Sequence, residues 1–487
     1  MIGFYLQHKN DFADRARYTL RTLCRMMGFE YTELNDLNSG TENVSLVMVY
    51  GTEMPNNQTD KPLLFIAQEN YQQAESLTQN DVRYIQSVED STNHIPYLFS
   101  LAQKPFEKVL YSDITSNEPK ISLESKKASC SIDVVATVFY LLSLHNEQRA
   151  TERDHFDRFQ RHFSPIGEEI YETPVVDRWV NVLRDLILQL SPQMPIKPRW
   201  PHNAPFAVAL SHDVDRIRTW TFRKARRALR GSHSQKSVLS RVSALMKSVT
   251  FPENWLGNFN FISQLEKKFD VASTFFLVSK HRHELDPTYK LASHRIREGL
   301  SLVKSRGGSV GLHGSIPSAA APGYLAAEKN DMDFFNEHEV LGGRQHYLCF
   351  NERTPELWQE AGLKYDSTLG FSYDTGYRCG TSLPFYVLEG SNELPILEIP
   401  LILMDTVLFL ESKQFLSAAE AWNVIETHLE ETKRNGGLLT LNWHNSDLHP
   451  YDVYGYSQLY VRLLQWTQER GGWLASTDQV YDWWSST

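Results

Sequence analysis

Cysteine is scarce in this chain of 487 residues: the four present, Cys24, Cys130, Cys349 and Cys379, stand far apart with no CxxC spacing. They give no zinc-ribbon signature and suit reduced thiols in a reducing compartment, as core or incidental residues. Long apolar runs are lacking too, and none is long enough to span a bilayer. The opening MIGFYLQHKNDFADRARYTL has neither the basic segment and long apolar core nor the small-residue cleavage site of a secretory signal, so a cytoplasmic protein is expected. Positive charge is in deficit, with 49 lysines and arginines against 59 acidic residues and a net charge of -10, which argues against a dedicated nucleic-acid binder. What remains, 41% hydrophobic and 22% charged, is a globular chain with material for two or three domains.

One stretch breaks the chain. SPQMPIKPRWPHNAP, residues 191–205, carries five prolines, and proline fixes φ and removes a donor, so neither a helix nor a central strand fits. The expected division is an N-terminal α/β domain over 1–195 and a second domain over 205–487. In the first, the apolar runs VSLVMVYG and PLLFIAQ alternate with helix-like segments such as DFADRARYTLRTLCRMMGF. Its role is open: His145, Glu147 and Asp154 are ligand-type residues, but their place in a charged run reads first as a solvated helix end. In the second, PFAVALS, VASTFFLV, GGSVGLH, HEVLGGRQ, LKYDSTL, LEIPLIL and GGLLTLNWH recur with helical stretches between several of them. The glycines of RGG at 306–308 and of NGG at 435–437 end two of those helices, since glycine takes the left-handed cap angle without steric cost. Repeated strand and helix units predict a parallel sheet closed, or nearly closed, into a distorted (β/α) barrel.

ALSHDVD sets Asp213 and Asp215 two residues apart, and in an extended chain both carboxylates face one small volume. Their repulsion calls for a cation, a proton or a basic neighbour. Asp213 and Asp215 follow FAVAL, His313 follows SVGL, Arg344 and His346 follow EVLGG, and His444 follows LLTLNW, each where a strand should end. The carboxyl ends of parallel barrel strands open on one face, so these groups are expected to meet in one pocket.

ALSHDVD, GLHGS, GGRQHY and LTLNWH, in this order, resemble the sequence blocks of the polysaccharide deacetylase superfamily, which includes nodulation-type chitooligosaccharide deacetylases. YDSTLGF, GYRCGTSLPF and EEIYETPVVDRW are similar to a bacterial subgroup in which an N-terminal α/β domain of unknown role precedes the deacetylase-like barrel. The resemblance implies Asp213 as general base, Arg344 as the residue orienting it, and His444 as the acid that protonates the leaving amine. It implies Asp215 and His313 as ligands of a divalent metal, usually zinc, and a backbone amide near Tyr347 holding the oxyanion. An amide is a poor electrophile, so this set supplies a Lewis acid, a base and an acid together.

One position departs from the pattern. Relatives usually carry a second histidine ligand four residues after the first, and here Pro317 stands there. A stable zinc site generally supplies three protein ligands, so His346 is the candidate replacement; otherwise it only lines the sugar site and catalysis has been lost. Asp366 and Asp405 each end a predicted strand, and either would orient His444 or else cap a helix or turn. Arg378 is a candidate for a substrate carboxylate or phosphate, and Trp443, Tyr347 and Phe371 for stacking on a sugar ring, with core packing the alternative for the aromatics. Residues 216–252 hold ten lysines and arginines and no acid. Such a segment is either a solvated helix or a surface that gathers an anionic glycan, a lipid-linked sugar or an acidic membrane. The implied function is a metal-dependent hydrolase removing acetyl from an N-acetylated sugar in bacterial polysaccharide or glycoconjugate metabolism. The alternatives are a non-catalytic carbohydrate-binding descendant and another metal amidohydrolase on the same barrel.

Overall fold

The computed structural model describes residues 1–8, 11–37, 40–55, 59–68, 71–87, 94–99, 108–113, 119–218, 237–251, 256–390, 392–410, 412–452 and 454–486. Met1–Arg153, Arg161–Arg199 and Cys379–Glu393 form one compact unit, and Asp154–Gln160, Trp200–Arg378 and Leu394–Thr487 the other. The main passage between them, Arg199 to Trp200, falls inside the proline-rich stretch.

The first unit is built on a sheet of β1 (Ile2–Leu6), β2 (Tyr31–Glu33), β3 (Leu46–Gly51), β4 (Leu63–Ala67), β5 (Arg83–Ser87), β6 (His94–Tyr97), β7 (Lys108–Asp113), β8 (Pro119–Leu123) and β9 (Lys127–Cys130). Their order is β2-β1-β3-β4-β9-β8-β7-β5-β6, parallel as far as β9 and antiparallel beyond. Every residue of β3 and β4 is buried, as expected for central parallel strands covered on both faces. The amphipathic helix Ala13–Met27 buries Leu20, Leu23 and Met27 and stops at Gly28, whose φ of 81° only glycine adopts freely.

The second unit holds the predicted strand ends. β10 (Ala207–Val214) is buried along its whole length. It is joined by β11 (Thr274–Leu277), β12 (Ser309–Gly314), β13 (Gly342–Gln345), β14 (Tyr365–Asp366), β16 (Asn392–Glu398), β17 (Leu403–Met404) and β18 (Leu438–Asn442), β15 (Phe385–Glu389) lying in a stretch of the first unit. The order is β16-β14-β13-β12-β11-β10-β18-β17, every pairing parallel, and β19 (Trp473–Ser476) pairs the first half of β10. The two ends of this path, β16 and β17, belong to one run of chain, so the sheet curls back on itself as a half-barrel within a mixed α/β architecture. Helices such as His294–Ser305, Tyr324–Asn336, Ala418–Asn435 and Tyr456–Glu469 connect the strands. Ala418–Asn435 starts at a reciprocal Ser417–Glu420 capping box and ends at Gly436, φ 62°. The Gly342–Gly343 pair has a packing reason. A Cβ at Gly342 would lie 2.4 Å from the Tyr365 ring, and one at Gly343 2.1 Å from the Leu312 carbonyl oxygen.

Most of the cationic segment, 219–236, together with Pro252, lies outside the described residues. Its described remainder includes the helix Val238–Thr250, on which Val238, Leu239 and Met246 are exposed. No helix among the described residues is long and apolar enough to cross a membrane.

Candidate functional site

Alternation along β10 sorts ALSHDVD into two sets. His212 turns into the core, where its Nε2 lies 3.0 Å from Glu266 Oε1 and its Nδ1 2.5 Å from the Trp443 carbonyl oxygen. Ser211, Asp213 and Asp215 share the opposite side, where Arg344, His313, His346 and His444 converge.

Asp213 is buried and fully engaged. Arg344, itself completely buried, donates from Nη1 to Asp213 Oδ1 at 2.8 Å and to Ser211 Oγ at 3.0 Å. Its Nε donates to the Ser367 carbonyl oxygen at 2.8 Å and its Nη2 to Ser367 Oγ at 3.0 Å, so the guanidinium is held on two edges. Asn442 Nδ2 donates to the other Asp213 oxygen at 2.7 Å. Burial opposes the charge on Asp213, but Arg344, His313 and His444 outweigh it and hold the carboxyl below the usual range.

Asp215, just past the end of β10, is 31% exposed at its side chain and faces three imidazoles. Its Oδ1 lies 3.5 Å from His313 Nε2 and 3.6 Å from His346 Nε2, and its Oδ2 lies 3.6 Å from His444 Nε2. That Oδ1 is a buried oxygen with no hydrogen-bond partner. Both neighbouring rings have their proton assigned elsewhere: His313 Nδ1 donates to the Arg344 carbonyl oxygen at 2.8 Å, and His346 Nδ1 to Asp286 Oδ1 at 2.9 Å. With Nδ1 committed as a donor, each ring in its neutral form presents Nε2 toward Asp215 as the lone-pair nitrogen. The ligand-type atoms of Asp215, His313 and His346 all lie within 4.8 Å of one another, a triad able to hold a metal ion. One carboxylate and two imidazoles with outer hydrogen-bond partners are a donor set that suits a divalent transition metal, and the unpartnered Asp215 oxygen is the atom a cation would satisfy.

On the other side, His444 Nδ1 donates to Asp405 Oδ1 at 2.6 Å, and its backbone amide to Asp405 Oδ2 at 2.9 Å. Burial works against a charged His444, but Asp405 first, with Asp215 and Asp213, pushes its pKa up to about 10. The strand-end reading left Asp366 and Asp405 both open as partners of this ring, and the contact is made by Asp405. Asp366 instead binds the Thr368 hydroxyl and pairs in register with Glu398 on β16; burial pushes its pKa up to about 7.

Three other candidates are buried. Trp443 is fully buried against Phe409 and Tyr460 and offers no face to a sugar, because it alternates with Asn442 and His444 and points away from the pocket. Arg378 is buried and donates to the Gly370 carbonyl oxygen, so it presents no free guanidinium to a ligand; Phe371 is buried too. Tyr347 is 37% exposed, adopts a φ of 60°, and stands edge-on to His346 at 4.7 Å between ring centroids. Its carbonyl oxygen accepts from Arg158. Of the ligand-type residues around 145–154, His145 lies 3.2 Å from Glu75 and Asp154 pairs with Arg158. Asp286 was not singled out from the sequence: it lies outside any regular element, in HRHELDP, with no strand end or motif to mark it.

Residues 4–192 match the model of a family of unknown function, DUF7033. A comparison with curated proteins finds no match. Among solved structures, the chain is similar to a "putative polysaccharide deacetylase" from Mycobacterium smegmatis, with 19% identity, TM-score 0.41, and coverage of 60% of this chain and 93% of that one. It is also similar to the Puue allantoinase (15% identity, TM-score 0.41, 61% and 95% covered). A "probable polysaccharide deacetylase" from Pseudomonas aeruginosa PAO1 aligns at 17% identity and TM-score 0.41, over 60% of this chain and 95% of that one.

Proposed function

We propose that the second unit is a distorted barrel of the polysaccharide deacetylase type and that it hydrolyses the N-acetyl group of a sugar or glycan. In this reading the barrel domain is 205–487, and the N-terminal α/β region, 1–195, precedes it. The observation that carries the proposal is the pairing of two differently supported devices around Asp215. On one side is a buried carboxylate, Asp213, clamped by Arg344 and Asn442; on the other is an imidazole, His444, backed by the buried Asp405.

Asp215, His313 and His346 would hold the metal, zinc being the ion their chemistry suits best. When bound, it supplies Lewis acidity toward the acetyl carbonyl. Asp213, ionised and oriented by Arg344, takes the proton of the attacking water. His444 gives a proton to the departing amine nitrogen, and Asp405 stabilises the charged ring until it does so. The backbone amide at Tyr347 would hold the developing oxyanion, and the Tyr347 ring would line the sugar site. Both carboxylates of the pair stay ionised because they face different cations, which lets one act as base and the other as ligand.

The test is acetate release from a panel of N-acetylated sugars and oligosaccharides by the zinc-loaded full chain, in parallel with Asp213→Asn. Release by the native chain and not by the variant supports the reading; no release from any substrate by a chain that retains zinc would overturn it. Pro317 favours a second reading, a non-catalytic carbohydrate-binding descendant, and metal content separates the two. A chain that binds glycans but takes up no zinc is the relic.

A further inference from the structure

Asp286 is a buried carboxylate in the irregular stretch between β11 and the helix His294–Ser305. Its two oxygens accept four hydrogen bonds. Oδ2 takes the amides of Arg282 at 3.1 Å and His283 at 2.8 Å; Oδ1 takes the Ile316 amide at 3.1 Å and His346 Nδ1 at 2.9 Å. The loop around it is fastened separately. Arg282 Nε donates to Glu328 Oε1 at 2.8 Å, and Glu328 also accepts from the Ser315 amide at 3.0 Å and the Ser315 hydroxyl at 2.6 Å. One carboxylate thus anchors both the main chain immediately before Pro317 and the ring of His346. A carboxylate already saturated by amide donors is a fixed acceptor, so it selects the neutral His346 tautomer with the proton on Nδ1, the one that offers the Nε2 lone pair 3.6 Å from Asp215 Oδ1.

We propose that Asp286 is the positioning residue that makes His346 the third metal ligand, supplying the orientation of its ring from the loop after β11. The inference rests on the metal reading above and adds a residue to it. Asp286 never touches the ion; it acts through the imidazole.

The experiment is a titration of the metal-free full chain with Co2+ and with Zn2+, following the cobalt absorption bands and the ion affinity. The forms compared are native, Asp286→Asn, His346→Gln and the double variant. Carboxylates that orient metal-bound histidines typically contribute 10–100-fold in affinity. Asp286→Asn is expected to weaken both ions by that factor and to alter the cobalt bands, while the double variant binds no worse than His346→Gln alone. Equal weakening by Asp286→Asn in the native and His346→Gln backgrounds would show that Asp286 only holds the loop, and would overturn the proposal; so would unchanged affinity and bands in the single variant. If Asp286→Asn loses its fold, judged by circular dichroism, Asp286→Glu replaces it: the charge stays, the acceptor moves by one methylene, and the same loss confined to the His346 background is expected. A native chain that binds neither ion would overturn the metal reading and this proposal with it. Native binding with an indifferent Asp286 overturns the proposal alone.

Discussion

Replacing Asp213 by Asn tests the proposed base apart from the proposed metal site. The shortened set of acceptors keeps one oxygen for Arg344 Nη1, but the new amide nitrogen then faces Asn442 Nδ2, which in the native chain donates to the carboxylate at 2.7 Å. Asn442 has no simple escape by rotating its amide, because its Oδ1 accepts from the Asp213 backbone amide at 3.1 Å. One charge-assisted hydrogen bond is lost, worth about 1.5–3 kcal/mol, and Arg344 keeps only neutral acceptors, Ser211 and Ser367 among them. Breaking a buried ion pair outright costs about 3–5 kcal/mol; the retained oxygen puts Asp213→Asn toward the lower end of that span. For the reaction, loss of a general base costs about 10²–10⁴ in rate, or about 3–5 kcal/mol of barrier at 1.36 kcal/mol per decade. Zinc content should not change, since the three ligand residues are untouched. The assays are denaturant unfolding, zinc analysis and kcat/KM for acetate release. Turnover within tenfold of native in a zinc-replete variant would refute the assignment of the base.

Asp405→Asn should lower kcat and move the alkaline limb of the pH–rate profile to lower pH, because Asp405 is what raises the His444 pKa and the acid must be protonated to act; an unmoved limb would count against His444 as the acid. His428, buried in the helix Ala418–Asn435, has its pKa pushed down by burial to about 4 from 6.5. The unfolded chain therefore binds the extra proton first, and stability present above pH 6.5 is lost as pH falls toward 4. About 3 kcal/mol of the acid loss should vanish in His428→Gln, read as the difference between the two unfolding curves across that window. Gly343→Ala places a Cβ against the Leu312 carbonyl oxygen and should destabilise the second unit by about 1–3 kcal/mol or more in denaturant unfolding.

Most of the pocket is legible in the sequence because its placement needs only period-two alternation and parallel strands: Asp213, His313 and Arg344 lie within β10, β12 and β13, while Asp215, His346, Asp405 and His444 stand just beyond strand ends. The same alternation, applied one residue further, would have placed Trp443 away from the pocket, between the inward Asn442 and His444. Choosing between Asp366 and Asp405 needed the order of the sheet. β17, which precedes Asp405, pairs β18, which precedes His444, whereas β14 lies several strands away. Asp286 was illegible because its role depends on four donors drawn from three separate stretches of chain, none of which leaves a local pattern. Arg378 looked like a ligand-binding residue in a glycine-rich loop, and only burial shows that its partner is the main chain.

The run from β16 to β17 has a consequence beyond curling the sheet. Near its start, the Ile399 carbonyl oxygen accepts from Ser367 Oγ at 2.8 Å, and Ser367 is the residue that grips Arg344. At its end, Asp405 grips His444. The support of Arg344, and through it of Asp213, and the support of His444 are thus fixed to the same short piece of backbone, which serves as a ruler for the distance between the proposed base and the proposed acid. Its length is what sets that gauge: one residue inserted between Ile399 and Asp405 would set His444 out of step with Asp213 even where the contacts within each half survive.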